Sequence, residues 1–220
     1  MSSNRKDSWT GDWCKKKLIE HDEVTSIDLT NTNRLLVTLK TGQTLTVATM
    51  SLSKINLTEV ENLLNGQEYD FILNVFKEPY ITRKALEYAE NHNFAIGGLG
   101  DAMRGFNEGS FQNYLNPEIK FILRGLRQHS RVVSVVRLDN RRFQIERHGQ
   151  PSVKILALND YDLVAENVRN ALDQFSKFDA ILKSNPNGKI TTKAITAADA
   201  AGIKIYDWGG LLGALNISWT

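Results

Sequence analysis

The chain has 220 residues, with 27 lysines and arginines against 25 aspartates and glutamates, so its formal net charge at pH 7 is +2. Apolar residues make up 41% and charged residues 24%, a composition typical of globular proteins that argues against a disordered or fibrous chain. The single cysteine, Cys14, excludes an internal disulfide and a multi-cysteine zinc site, so we expect no resident metal or other cofactor from these residue types.

Membrane and secretory signals are missing from the sequence. No uninterrupted apolar stretch approaches the roughly 18 residues that a membrane span needs. Residues 1–17 are polar and lack the apolar core of a secretory signal. We therefore expect a cytoplasmic protein that does not enter a membrane. Length alone permits one domain of about 200 residues or two of about 100.

The first half of the chain predicts helices that alternate with short strands. β-branched residues in near-alternation, bounded by Asn, Asp and Gly, indicate the strands. In chain order we expect a helix over 9–21, strands over 24–29, 35–39 and 44–49, a helix over 57–64, a strand over 71–73, a helix from Thr82, a strand over 94–96 and a helix after the following glycines.

The second half predicts the same elements in the same order. Asn116 suits an N-cap and Pro117 suits a first helical turn. We expect a helix over 117–129, strands over 132–138, 142–147 and 152–158, a helix over 161–175, a strand over 180–182, a helix from Thr191, a strand over 203–206 and a terminal helix. Each half is therefore α-β-β-β-α-β-α-β-α, a mixed-sheet α/β (α+β) fold flanked by helices.

The two halves are also related in sequence. Residues 69–100 align without a gap on 178–209, and ten of the 32 pairs are identical. Residues 13–21 align on 121–129 at a shift of 108. The identical pairs are Asp70/Asp179, Ile72/Ile181, Leu73/Leu182, Ile81/Ile190, Thr82/Thr191, Lys84/Lys193, Ala85/Ala194, Ala89/Ala198, Ile96/Ile205 and Gly100/Gly209. The pattern predicts a tandem repeat, with a flexible tail over 1–8, a first unit over 9–107, a linker over 108–116 and a second unit over 117–220.

One segment of each unit resembles a known family. In the second unit it comprises residues 189–194 (KITTKA), 201–207 (AGIKIYD) and 211–212 (LL). This is similar to the C-terminal half of Mrr-like restriction nucleases, which has a strand, a Thr-x-x-Ala helix, a Gly-Ile strand and a leucine-rich helix. The similarity covers about 40 residues per unit. The element order of the whole unit also resembles the restriction-endonuclease-like core, which implies two nuclease-like units.

The same resemblance implies where a catalytic site would lie. In such nucleases an acidic residue at the start of the second strand and an acid-x-Lys motif on the third would hold one or two Mg²⁺ ions. The matching residues here are Asp139, Ser152 and Lys154, so a serine replaces the middle carboxylate. Glu146, on the second strand, is a candidate substitute. The implied catalytic residues are therefore Asp139, Glu146 and Lys154, with Asp139 as the metal ligand.

Catalysis is nevertheless the less favoured expectation. The matching positions of the first unit are Asn31, Thr44 and Thr46, which offer neither a carboxylate nor an amine. A single carboxylate holds Mg²⁺ weakly because the hydrated ion gives up water reluctantly. We therefore favour an inactive pair of units, in which Asp139 is a turn residue and Glu146 is solvated, over a weakly active Mg²⁺-dependent nuclease.

Basic residues are concentrated in one segment of the second unit. Residues 120–148 contain eight lysines and arginines against two acids, a local charge of +6. Arginine suits bidentate phosphate contacts, so we expect a surface for DNA or RNA. The candidate residues are Arg124, Arg127, Arg131, Arg137, Arg141, Arg142 and Arg147. The alternative is a solvated face, or one paired with the five acids between residues 160 and 179.

Two classes of function stay open at this point. The first is a nucleic-acid-associated protein built from two duplicated nuclease-like units that bind DNA, RNA or a partner complex. The second is a structural or adaptor protein, such as a component of a phage particle or another assembly. In that second case Trp208 and Trp219 would belong to an interface with a protein partner or with a second copy of the chain.

Two residue pairs retained between the units have simpler interpretations. Asp70 and Asp179 are expected at a helix-to-strand junction rather than in a shared polar site. His21 and His129 are each expected to cap the C-terminal end of the first helix by bonding to its last carbonyls.

Overall fold

The computed structural model describes residues 3–219 of the chain. Its secondary structure is 35% helix and 30% strand, which confirms the mixed α/β class. The chain divides between Asn116 and Pro117 into two compact units.

The first unit is a mixed five-stranded sheet with helices on both faces. The sheet order is β1-β2-β3-β5-β7; the first three strands are antiparallel neighbours, and β3, β5 and β7 run parallel. Strands β4 and β6 form a separate parallel pair. The elements are α1 (Ser3–Leu18), β1 (Val24–Asn31), β2 (Arg34–Leu39), β3 (Thr44–Met50), β4 (Lys54–Ile55), α2 (Leu57–Leu64), β5 (Phe71–Asn74), β6 (Tyr80–Ile81), α3 (Arg83–Asn91), β7 (Ala95–Gly97) and α4 (Leu99–Glu108).

The second unit has a sheet of the same order and strand directions. Strands β8, β9 and β10 are antiparallel neighbours, and β10, β11 and β12 run parallel. A parallel bridge between Leu163 and Ile190 lies where the first unit has its β4–β6 pair. The elements are α5 (Pro117–Arg127), β8 (Val132–Arg137), β9 (Arg142–Arg147), β10 (Gln150–Leu158), α6 (Ala165–Gln174), β11 (Ala180–Lys183), α7 (Thr192–Ala200), β12 (Lys204–Tyr206) and α8 (Trp208–Ala214).

The element order predicted from the sequence is confirmed in the second unit. The first unit has the same order with two additional short strands, β4 and β6, which the sequence did not predict. The predicted threonine caps are also present. Thr82 Oγ1 accepts a hydrogen bond from the Ala85 amide, and Thr191 Oγ1 accepts one from the Ala194 amide, so each hydroxyl satisfies an otherwise free N–H of the first helical turn.

Two apolar layers hold the first unit together. Alternate β2 residues point to the face covered by α1 and α4, and Leu35, Val37 and Leu39 are buried there. The core on the other face, beneath α2 and α3, takes its strand residues from β3 and β5, such as Met50 and Ile72. The two helices on that face therefore lie over the parallel part of the sheet.

Cys14 is a residue of α1 and lies in the core between that helix and the sheet of the first unit. The residue is fully buried, and burial raises the pKa of its thiol to about 12. The thiol therefore stays protonated at neutral pH and packs as a small apolar group.

The tail and the linker differ from their predicted form. Helix α1 already begins at Ser3, so the tail expected over residues 1–8 is helical from that residue onward; residues 1 and 2 lie outside the described residues. The expected linker 108–116 packs on the first unit. Phe111 is buried, and its ring stacks on Phe71 with 4.4 Å between centroids. A Cβ at Gly105 would overlap the Phe111 ring, so this glycine makes the packing possible.

Candidate functional site

Asp139 is buried and forms an ion pair in the turn between β8 and β9. Its Oδ2 lies 2.6 Å from the Arg142 Nε, and the side chain has no solvent exposure. Its Oδ1 accepts hydrogen bonds from the backbone amides of Arg141 and Arg142, at 2.8 and 2.7 Å. Both carboxylate oxygens are therefore used to build the turn, as in the non-catalytic interpretation.

The guanidinium of Arg142 makes further hydrogen bonds through its Nη1. Its Nη1 donates to the Ser176 hydroxyl at 2.5 Å and to the Ser176 carbonyl at 3.0 Å, which ties β9 to the segment after α6. The residue is 7% exposed. Burial removes Arg142 from the predicted nucleic-acid surface, and its partner Asp139 is what offsets the cost of burying the charge.

The three candidate catalytic residues make different contacts. Asp139 bonds to Arg142, whereas the Gln144 amide donates to Glu146 at 2.7 Å. Arg142, Gln144 and Glu146 alternate along β9 and so share one sheet face, and Lys154 lies opposite Gln144 on β10. Glu146 and Lys154 are thus on the face that also carries Arg142, and Asp139 is held by its ion pair with Arg142 at the start of β9.

No metal centre is formed within the described part of the chain. Residues 3–219 hold no group of three or more His, Cys, Asp or Glu side chains that could bind an ion. Both carboxylate oxygens of Asp139, the suggested Mg²⁺ ligand, instead accept hydrogen bonds from Arg141 and Arg142. These residues do not fit an Mg²⁺ site, which prefers several carboxylates and waters around the ion.

Arg147 is a second buried arginine of the predicted surface. Its Nη1 donates to the Ile217 carbonyl at 2.8 Å, and its Nη2 donates to the Pro151 carbonyl at 2.9 Å. The guanidinium also lies 5.3 Å from the centre of the Trp219 ring. Burial lowers the pKa of Arg147, and the nearby Asp179 carboxylate partly opposes that shift. Arg147 therefore joins the C-terminal segment to β9, and its buried guanidinium is not part of an exposed basic surface.

Two more of the arginines have partners inside the second unit. Arg141 Nη1 donates to both carboxylate oxygens of Glu118, each at 2.8 Å. Arg137 Nε donates to the Asp139 carbonyl at 3.0 Å. The Arg141 contact corresponds to the alternative in which the arginines are ion-paired within the protein, although the acid is Glu118 and not one of the five between residues 160 and 179. The Arg137 contact is a hydrogen bond to the backbone.

The remaining basic residues form an exposed row. Lys120, Arg124 and Arg127 are exposed at spacings of four and three residues along one side of α5, and Arg131 follows in the next turn. The opposite side of α5 is buried in the core. None of the four forms an ion pair with another residue within 9–219, the range whose side chains the structure describes. We call Lys120, Arg124, Arg127 and Arg131 the α5 stripe.

Helix α1 provides an internal comparison for the α5 stripe. The aligned residues of the first unit are Asp12, Lys16, Ile19 and Glu23. Their formal charge is −1, from one lysine and two acids, against +4 for the α5 stripe. At these four aligned positions the excess of positive charge is therefore found in the second unit, whereas the lysines of α1 lie at residues 15–17.

An aromatic groove lies beside the α5 stripe. It has a volume of about 420 Å³ and lies between α5 and α8. Phe121 is 58% exposed, and its ring centre lies 5.2 Å from that of Trp208. A Cβ at Gly125 would overlap the Trp208 ring, so this glycine lets Trp208 pack against the helix backbone. Sequence reasoning missed Phe121 and Gly125; the available signal was an aromatic residue and a glycine within a charged helix.

Both tryptophans assigned to a possible interface have contacts within the second unit. Trp208 packs on α5 as described, and Trp219 Nε1 donates to the Ala214 carbonyl at 2.7 Å while its ring lies over Arg147. Both side chains are partly buried. These contacts give the two residues structural roles that need no protein partner.

The residues retained between the units also support local structure. Asp70 Oδ2 accepts the Thr46 amide at 2.7 Å, and Asp179 Oδ2 accepts the Lys154 amide at 2.6 Å. Each carboxylate lies just before one strand of a parallel pair and bonds to the backbone of the other strand. The histidine expectation needs correction: His129 Nδ1 accepts the Arg131 amide at 3.2 Å rather than bonding to the last carbonyls of its helix.

Comparison of the chain with protein-family models, with curated proteins and with solved structures gives no significant match. None of the helices within residues 3–219 combines the length and the apolar character that crossing a bilayer requires.

Proposed function

We propose that the chain is a nucleic-acid-binding protein that uses the α5 stripe to contact phosphates. The observation that carries this proposal is the row of four exposed cations, which form no ion pair among the described residues. Cations left without protein partners on one side of a helix are suited to a polyanion. The other four basic residues between 120 and 148 have structural partners, so the binding surface is smaller than the sequence predicted.

The dimensions of the α5 stripe suit a phosphate backbone. Lys120 and Arg127 are seven residues apart, about 10 Å along the helix axis. That length is enough for the helix portion of the stripe to contact more than one phosphate of a strand. Arginine adds bidentate contacts that a lysine-only surface would lack.

The same proposal treats both units as duplicated copies of a nuclease-like fold without catalysis. Support comes from their common sheet order and from the equivalent bonds of Asp70 and Asp179. In the second unit the Asp139 carboxylate stabilises a turn. In the first unit Asn31 takes its place. A nuclease built on a carboxylate pair would need a different arrangement of these residues.

A triple substitution tests the role of the α5 stripe. We expect Arg124→Ala, Arg127→Ala and Arg131→Ala together to weaken binding of a fluorescein-labelled 12-nucleotide oligo(dT) and to reduce the slope of log K against log salt by about 2, because each lost phosphate contact on a single strand removes about 0.7. Fluorescence anisotropy between 50 and about 200 mM salt measures both quantities.

The first unit supplies a control of equal charge. Lys15→Ala, Lys16→Ala and Lys17→Ala remove three cations from α1 and are expected to leave the salt slope within error of the wild-type value. If both triple variants lower the slope of log K against log salt equally, the nucleic acid is attracted by the positive charge of the chain in general. The assignment of phosphate binding to the α5 stripe would then be wrong. If the unaltered protein does not bind even at low salt, the proposed function is wrong.

A further inference from the structure

We infer that the groove between α5 and α8 receives an unpaired base, so that the preferred ligand is single-stranded nucleic acid. This inference rests on the proposed function and adds a ligand class to it. It follows from the juxtaposition of an exposed aromatic ring, a groove and the cationic α5 stripe on the same helix.

Phe121 presents a ring face that the protein itself leaves open. The side chain is 58% exposed although it is large and apolar. Trp208 lies against one side of it, tilted by 47°, and holds it in place without covering it. An aromatic ring fixed at the surface in this way is a stacking platform for a flat ligand.

The groove beside Phe121 carries groups that suit a nucleotide. Residues 121, 124, 125 and 128 recur at helical spacing, so Phe121, Arg124, Gly125 and Gln128 share one side of α5 and all four line the groove. Arg124 belongs to both the groove and the α5 stripe, which places a phosphate-binding cation next to the ring. The Gln128 amide offers a donor and an acceptor of the kind that pairs with base edges.

Single strands fit this arrangement better than duplexes do. Bases in a duplex are stacked on one another, so only an unpaired base can present its face to Phe121. A protein partner would instead need acidic residues opposite the α5 stripe and an apolar anchor for the groove. The combination of four cations with one open ring favours the polyanion with exposed bases.

The first unit lacks this combination at the aligned positions. Trp13, Lys17 and Glu20 correspond to Phe121, Gly125 and Gln128. Trp13 packs against the core of the first unit, and Lys17 forms an ion pair with Glu20 at 3.4 Å. The proposed base site is therefore a feature of the second unit, and α1 again serves as the built-in comparison.

The test compares a labelled 12-nucleotide oligo(dT) with a 12-base-pair duplex, for the wild type and for Phe121→Ala. We expect Phe121→Ala to weaken oligo(dT) binding by about 10-fold, since one base–aromatic stack contributes about 1–3 kcal/mol. The salt slope should not change, because no cation is lost. Phe121→Tyr should keep near wild-type affinity. Tyr161→Ala removes another exposed aromatic residue, 67% exposed, and should have no effect.

The outcomes separate the base site from the proposed function. Equal affinity for the duplex and the oligo(dT), together with no effect of Phe121→Ala, would overturn the base site while leaving phosphate binding by the α5 stripe intact. A loss of affinity for the duplex as large as that for oligo(dT) would also overturn it. Absence of binding to both probes would overturn the proposed function as well. Selective loss of single-strand binding, rescued by tyrosine, supports the inference.

Discussion

Asp139→Ala is expected to destabilise the second unit by about 3–5 kcal/mol, because it leaves the buried Arg142 charge without its partner. The substitution also frees the two backbone amides that the carboxylate accepts. Amide hydrogen exchange of β9 and β10 measures the effect in the second unit separately from the first.

The first unit provides a matched control for this substitution. Asn31 aligns with Asp139, and its Oδ1 accepts the Asn33 amide at 3.1 Å in an exposed turn. Asn31→Ala is therefore expected to cost about 1 kcal/mol or less. If Asp139→Ala left the exchange of β9 and β10 unchanged, the carboxylate would not be holding the turn, and its assignment as a structural residue would be wrong.

Arg147→Ala is expected to have the second-largest effect, about 3 kcal/mol, because hydrogen bonds from a charged group contribute about 1.5–3 kcal/mol each when they are buried. The change leaves the carbonyls of Pro151 and Ile217 without this donor and removes the cation beside the Trp219 ring. We expect the C-terminal segment to detach, so that Trp219 fluorescence shifts to the red and amides near Ile217 exchange faster.

Arg131→Ala is the control for Arg147→Ala. It removes the same side chain from an exposed position outside any ion pair of the described range, and its effect on stability should be within about 0.5 kcal/mol. Trp219 fluorescence that stays the same in Arg147→Ala would show that the arginine does not anchor the C-terminal segment.

The element order could be predicted from the sequence because it depends on local signals. Alternating β-branched residues mark the strands, and threonine hydroxyls mark the starts of α3 and α7. The sequence similarity between residues 69–100 and 178–209 reinforced the assignments, since both aligned segments gave the same order of elements. The boundaries of α1 were missed because its first turns are polar and carry no apolar periodicity.

The environment of each arginine could not be predicted in the same way. Arg142 and Arg147 lie five residues apart on β9, so they point to opposite faces, and each meets a partner from a different segment. Those contacts depend on where the segments that contain Ser176 and Ile217 pack against the sheet. No local sequence pattern predicts that packing. Counting charges therefore overestimated the basic surface, and only the residues on α5 and its following turn remain exposed.

The linker was misassigned for a related reason. Glycine and polar residues over 108–116 indicate a loop, but Phe111 among them reaches the core of the first unit. Its position depends on Gly105 in α4, whose missing side chain makes room for the ring. A single aromatic residue in a polar segment is weak sequence evidence for a packed segment, yet its buried area contributes strongly to the stability of the core.

Titration of ¹⁵N-labelled protein with a 12-nucleotide oligo(dT) locates the residues that bind single-stranded nucleic acid. We expect amide shift changes that concentrate on the α5 stripe, Phe121 and Gln128, with little change along α1. Changes confined to the sheet face that carries Glu146 and Lys154, or changes of equal size on α1 and α5, would contradict this expectation.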